Sequence, residues 1–398
     1  MFTYRGIASP GRGPFLAALA LALALVPGAA RADEDCRPRP IGHEGRDGDD
    51  VVLSFATVGD SREEAGAAYL SPQDAIWLQN TQVWSRIMRE VREQGPQMLF
   101  FNGDMIMGYA DGADAKSHET MNRQYAFWRG MVTQLLECGT YVVPVPGNHE
   151  VQRKFKDAAG KTQKVAQVAN EILWRDNMAD LVIDVPRFTT LVGVPPGRFD
   201  PANNPFAPAT AAADHVSTDQ KQLSYSFDVG TTHFAVVNTD PFGWDTHAPA
   251  AWLRADFQAA KGAGARKFFV FGHKPAFTYA FPTVSGAAVG SNGLDAVPDL
   301  SGRDAFWSTI EDFGATYFCG HEHIYDVSQP GHAQGGKAYQ VIVGSGGSPF
   351  ETDTKPGLDR TYAWAVVDVL ATGRARVTTY GFDENQGPTK VLARFTIH

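Results

Sequence analysis

The sequence is short of cysteine, short of cations and short of long apolar runs, and each shortage removes a class of answer. Only Cys36, Cys138 and Cys319 occur in 398 residues, too few for a disulfide-built scaffold. In an exported protein an odd count leaves at least one thiol free or paired between chains. A Cys36–Cys138 bridge stays open on sequence alone, and Cys319, inside an apolar stretch, reads as a small buried hydrophobe. Lysine and arginine number 35 against 44 acids, a net charge of -9, which gives no electrostatic footprint for nucleic acid. A single apolar run stands out, Phe15 to Val26. It is shorter than the roughly 20 residues a membrane helix needs, and no later run reaches spanning length. No internal repeat is visible.

That one run has the setting of a secretory signal peptide rather than an uncleaved anchor. Arg5 and Arg12 precede it, Pro27 and Gly28 end it, and Ala30-Arg31-Ala32 supplies small residues for cleavage. Asp33-Glu34-Asp35 before Cys36 argues against lipidation. Residues 1–32 are therefore expected to be removed on export, to a periplasmic or secreted location. The three arginines lost with them bring the charge of -9 to -12. Hydrophobic content of 43% is ordinary for a globular protein. Residues 33–398 are read as one domain.

Strands and helices alternate along it. Val51–Val58, Gln97–Phe101 and Tyr141–Val145 are apolar strand patterns, with a helix opened by Ser71-Pro72 and another over 119–137 between them. Two strands around Gly230-Thr231-Thr232 read as a hairpin. Helices near 249–261 and 303–313 alternate with strands Lys267–Phe271 and Ala315–Cys319. Further strands are expected at Tyr339–Val343, Tyr362–Val369 and Arg374–Tyr380. Such alternation predicts βαβ units and a largely parallel sheet. Two stretches break the rhythm: 151–221, with one helix near 166–180, and 276–300. Both are read as long insertions, either surface excursions or walls of a substrate site.

The chemistry lies where strands end. Five apolar strands run into Gly59-Asp60, Gly103-Asp104, Gly147-Asn148-His149-Glu150, Gly272-His273-Lys274-Pro275 and Gly320-His321-Glu322-His323. In an open α/β sheet these ends share one edge, where ligands bind. The converging carboxylates, amide and imidazoles suit Mn, Fe, Zn or Co, and the lack of thiolate argues against structural zinc. Six donors exceed one tetrahedral ion and suit two ions sharing a carboxylate.

Taken in this order, the five motifs resemble those of the calcineurin-like metallophosphoesterase superfamily, which includes purple acid phosphatases and many phosphodiesterases. The resemblance covers about residues 50–350. It implies an α/β fold of four layers, α/β/β/α, with two mixed sheets packed face to face. It implies two divalent or trivalent metal ions. Asp60 and His323 would bind the first, Asn148, His273 and His321 the second, and Asp104 would bridge them. His149 would act on the phosphoryl group or leaving oxygen, and a water acidified by the metals would attack a small phosphate ester.

The first motif departs from the family, which usually places a His two residues after the first Asp. Here the run is Asp60-Ser61-Arg62. Purple acid phosphatases instead carry a Tyr three residues after the bridging Asp; here Met107 stands there and Tyr109 two further on. The first site is thus short of a ligand and expected to bind weakly. Either water or Tyr109 completes it, or Arg62 replaces much of its charge by gripping a phosphate oxygen. Arg62, Tyr109 and Tyr279 are candidate substrate contacts, with Phe281 a further wall. His233 is read as structural, Asn238 and Asp240 as supports of the site, Glu150 and Glu322 as hydrogen-bonding neighbours of ligands. Gly344-Ser345-Gly346-Gly347 is read as a structural turn, since it lacks a P-loop's lysine and helix. The expected activity is phosphate-ester hydrolysis. The alternatives are a phosphodiesterase or nucleotidase specificity, or a non-catalytic metal-binding scaffold.

Overall fold

A computed structural model describes residues 40–44, 50–64, 66, 71–200, 210, 212–279, 292–294, 296, 300–331, 335–350 and 360–398. The expected leader, Cys36, Phe281 and most of 276–300 lie outside them.

The apolar run after Asp50 forms β2 (Asp50–Val58), buried on both faces over most of its length and paired with the short β1 (His43–Glu44). Ser71 caps α1 (Pro72–Trp77), accepting the Asp74 amide, with Pro72 in the first turn. Asn80 caps α2 (Thr81–Gln94), and Gly95 ends it in a left-handed conformation. Then follow β3 (Met98–Asn102), α3 (Ala115–Glu137) under the Asp114 cap, and β4 (Tyr141–Val145). One turn of helix, α4 (Asn148–Val151), leads into a hairpin of β5 (Gln152–Lys156) and β6 (Thr162–Ala166). After it come α5 (Val168–Met178) and α6 (Val185–Val192). The first insertion therefore holds regular structure between residues 152 and 192.

A second series holds β7 (Tyr225–Val229), β8 (Thr232–Val236), α7 (Ala250–Gly262), β9 (Lys267–Phe271), α8 (Leu300–Asp312), β10 (Thr316–Cys319), β11 (Tyr325–Ser328) and β12 (Tyr339–Val343). The chain closes with β13 (Thr361–Leu370), β14 (Ala375–Asp383) and β15 (Lys390–Ile397).

These strands form two mixed sheets. The first runs β15-β14-β13-β2-β3-β4, with β1 on β2, and the second β11-β12-β10-β9-β8-β7. The expectation of one largely parallel sheet is corrected. β2, β3 and β4 are parallel to one another, as are β8, β9, β10 and β12. The two parallel groups lie in different sheets, each extended by antiparallel strands. Strand–helix alternation reports local connections and cannot say whether successive units join one sheet.

The layers follow from which face each residue buries. Leu53, Phe55, Phe100 and Val143 meet Phe234, Phe269, Phe271 and Phe318 in a core between the sheets. Phe55 touches five phenyl rings there, with centroids 4.9–6.1 Å away; burying one such ring stabilises by about 1.5–3 kcal/mol. The outer face of the first sheet packs on Trp84, Tyr125, Trp128 and Trp174 of α2, α3 and α5. That of the second packs on Leu253, Phe257, Phe306 and Ile310 of α7 and α8. The result is the four-layer α/β/β/α sandwich implied by the resemblance. Among the described residues no helix is long and apolar enough to cross a membrane.

Candidate metal centre

Asp60, Asp104 and Asn148 follow β2, β3 and β4 of the first sheet; His273, His321 and His323 follow β9 and β10 of the second. Asp60, Asp104 and His321 take positive φ, at 62°, 54° and 70°. Non-glycine residues held there cost on the order of 1–3 kcal/mol each, strain that surrounding structure must sustain. The glycine before Asp104 answers a packing need. A Cβ on Gly103 would lie 2.6 Å from His273 Nδ1 and 2.7 Å from Gly147 Cα, so three motifs approach too closely for any side chain. Glu150 then fastens the loop, its carboxylate accepting the amides of Asp104, Met105, Ile106 and Gly147 at 2.8–3.1 Å.

Two groups of metal-capable atoms result, Asp104 with His273 and His321, and Asp60 with Asp104 and His323. They share Asp104.

Hydrogen-bond partners settle which atoms of the first of these groups carry lone pairs. His273 Nδ1 bonds the Asn102 carbonyl at 2.8 Å, which only accepts, so Nδ1 holds the proton and Nε2 a lone pair. His321 Nε2 bonds Asn292 Oδ1 at 3.1 Å, leaving its Nδ1 bare. Asn148 gives its amide N–H to the Tyr109 hydroxyl, which turns its Oδ1 inward. His273 Nε2 thus faces Asn148 Oδ1 at 2.8 Å, His321 Nδ1 at 3.0 Å and Asp104 Oδ1 at 3.1 Å. Four acceptors point at one place with no hydrogen among them. Only a cation or an added proton satisfies that arrangement, and the donor set fits a divalent transition metal. The electrostatics agree: burial opposes charge on His273, yet the Asp104 carboxylate raises its pKa to about 9.

The other group is differently filled. His323 Nδ1 bonds the Pro349 carbonyl at 2.6 Å, so its Nε2 also offers a lone pair. Arg62 meets it, Nη2 standing 3.3 Å from His323 Nε2 while Nε donates to Asp104 Oδ2 at 3.4 Å. Arg62 is buried, 6% exposed. Its position answers to the place where a ligand was missing from the sequence. Asp60 meanwhile accepts the His321 amide at 3.0 and 3.2 Å and lies 3.7 Å from His323 Nε2. Burial and then the Arg62 charge depress the pKa of His323 to about 3 and hold His149 well below the usual imidazole range. His149 Nδ1 bonds the Met107 carbonyl at 2.5 Å, and its Nε2 lies 3.6 Å from Asp104 Oδ2. It is a neutral imidazole with Nε2 free to accept.

The remaining expected contacts have definite places. Tyr109 sends its hydroxyl to Asn148 and packs its ring on His149, centroids 3.7 Å apart. It therefore orients a donor of the first group. Tyr279 is half-buried against the core beneath α7 and α8, its amide donating to Glu322 at 2.7 Å. Asp240 holds Lys274 Nζ at 2.5 Å and Gln152 Nε2 at 2.9 Å. The Gly344–Gly347 turn backs the first motif: the Gly346 amide bonds the Gly59 carbonyl, and Ser348 bonds the carbonyls of Asp60 and Arg62. Cys138 is disulfide-bonded, and Cys319 is free and buried. Sequence reading missed Asn292, which reaches His321 from the second irregular stretch and carried no local signal.

A family model for calcineurin-like phosphoesterases matches residues 77–325, a span holding Asp104, Asn148, His149, His273, His321 and His323 but beginning after Asp60 and Arg62. No curated protein matches the chain. Among solved structures, a purple acid phosphatase from yellow lupin (Lupinus luteus) seeds is similar at 14% identity and a TM-score of 0.49. The alignment covers 90% of this chain and 55% of that one, so this chain spans just over half of that relative.

Proposed function

The chain belongs to the calcineurin-like phosphoesterase family, and from that premise we propose that it hydrolyses phosphate esters with a cation held by Asp104, Asn148, His273 and His321. The observation carrying this reading is the convergence of four acceptor atoms, from Asp104, Asn148, His273 and His321, on one point. The signal-peptide pattern of residues 1–32 supports an activity outside the cytoplasm. When bound, the metal supplies Lewis-acid polarisation of a phosphoryl oxygen and acidifies water.

The chain's own groups do the rest. Arg62, with two nitrogens already spread across Asp104 and His323, presents a planar fork suited to phosphoryl oxygens. His149, unprotonated at Nε2, takes the proton that the attacking water gives up and returns it to the leaving oxygen. Tyr109 keeps the Asn148 carbonyl oxygen turned toward the cation. Asp60, Asp104 and His323 form the second group, and a metal there must displace the Arg62 guanidinium. A one-metal centre completed by Arg62 is the arrangement this packing favours, and a two-metal centre is the second reading.

Purified protein loaded with manganese or zinc, assayed on p-nitrophenyl phosphate and its bis ester, tests the proposal. Turnover is expected, abolished by chelator and reduced at least about 100-fold in Asn148→Ala. Arg62→Ala is expected to lose a similar factor, in line with loss of a group that stabilises transition-state charge. Metal analysis separates one ion per chain from two. Absence of turnover with every divalent metal would leave the non-catalytic scaffold.

A further inference from the structure

The hairpin of β5 and β6 begins directly after α4, whose first two residues are Asn148 and His149, so it rises from the edge of the metal centre. Residues 152–166 carry five cations, Arg153, Lys154, Lys156, Lys161 and Lys164, and one acid, Asp157, in a chain of net charge -9. Strand register decides where they point. Lys154 lies directly opposite Lys164, so both project from one face. Gln152 shares that face and donates to Asp240, the partner of Lys274 beside His273. The lysine face is thereby the one turned to the metal centre.

Both ammonium groups stand near the Tyr109 ring, Lys164 Nζ 4.9 Å and Lys154 Nζ 6.0 Å from its centroid. That ring packs on His149. Among the described residues no carboxylate pairs with either lysine, whereas Arg153, on the opposite face, pairs with Asp111 at 2.9 Å. Like charges directly across a hairpin destabilise it, and an anion between them reverses the sign of that interaction. Desolvation and the Lys154 charge lower the Lys164 pKa while Asp104 raises it, so Lys164 feels the metal-centre carboxylate.

We propose that Lys154 and Lys164 form a subsite for a second phosphate group of the substrate, making phosphate esters that carry a further phosphate on the leaving group the preferred class. The inference rests on the phosphoesterase reading for the seat of the first phosphate. The two lysines act on binding and selectivity, and no bond to them forms or breaks.

Calorimetric titration of the manganese-loaded protein with butylphosphonate and with butane-1,4-bisphosphonate tests it without turnover. The bisphosphonate is expected to bind roughly tenfold or more tightly than the monophosphonate, as for added charge-assisted contacts. In K154Q/K164Q that ratio is expected to fall toward one. In K154R/K164R, and in the turn variant K161Q, it is expected to persist. Equal affinities in the wild type, or a ratio preserved in K154Q/K164Q, would overturn the subsite. Loss of both affinities by the same factor would also overturn it, since that reports a general field. A ratio behaving as expected in a protein that cleaves no phosphate ester would refute the phosphoesterase reading alone.

Discussion

Two carboxylates share one buried imidazole at His233. Its Nδ1 lies 2.6 Å from Asp228 Oδ1 and its Nε2 2.9 Å from Asp256 Oδ2, and Arg198 approaches the same two acids at 3.5 and 3.6 Å. Both ring nitrogens face acceptors, so both carry protons. Burial works against the charged ring, but the two aspartates outweigh it and raise the pKa above 6.5. A histidine whose pKa is raised by folding stabilises fully below its unfolded value, and that contribution is lost as pH climbs through the folded value. His233→Asn is therefore expected to cost about 2–3 kcal/mol near pH 6 and distinctly less near pH 9. Urea unfolding at the two pH values checks this; an equal cost at both would mean the ring is neutral. The structural reading of His233 needed only its place at the start of a strand. Its partners, one on β7 and one on α7, were beyond the reach of local pattern.

Helix α7 makes the same point for an element. Its N-cap position is Pro249, which offers no side-chain acceptor. Asp214 serves instead, accepting the Ala251 and Trp252 amides at 2.8 Å each. Asp214→Ala is expected to lower the unfolding free energy by about 1–2 kcal/mol, the usual worth of a helix cap, shifting the denaturant midpoint without changing the slope. No sequence rule finds a cap that far from its helix, whereas Ser71, adjacent to α1, was legible at once. The same division runs through the fold. Strands β4, β9 and β12 have the bounds expected, because unbroken apolar runs have one interpretation when bounded by polar residues. Strands β5 and β6 were invisible: lysine and glutamine fill a hairpin exposed along most of its length, so no apolar alternation exists. Strand β15, only half-covered against β14, was missed although Ala393, Phe395 and Ile397 alternate with Arg394 and Thr396. At the site, the convergence of Asp60, Asp104, Asn148, His273, His321 and His323 was legible because each follows an apolar strand. The Tyr109–Asn148 bond and the Glu150 clamp were not, since they arise only when β3 and β4 lie side by side.

At the scale of the whole molecule, the metal centre joins two sheets that also meet across an apolar core. Phe100 and Phe271 stack across that core at 3.7 Å, on strands whose ends carry Asp104 and His273. Those two residues then meet at 3.1 Å, and Asp60 meets His323 at 3.7 Å. A cation at this seam binds both sheets at once and can be held by the native state alone, because the unfolded chain scatters its donors. Free metal at a thousand times its dissociation constant would then stabilise by about 4 kcal/mol, a rise of roughly 5 °C in melting temperature for a chain of 398 residues. Asn148→Ala should shrink that metal-dependent increment while changing the chelated protein little. Phe55→Leu should do the reverse, lowering both melting curves by about 1–2 kcal/mol and leaving the gap between them. Calorimetric scans of the three proteins with manganese and with chelator measure both quantities. If Asn148→Ala kept the full increment, the cation would be seated elsewhere, away from the seam between the sheets.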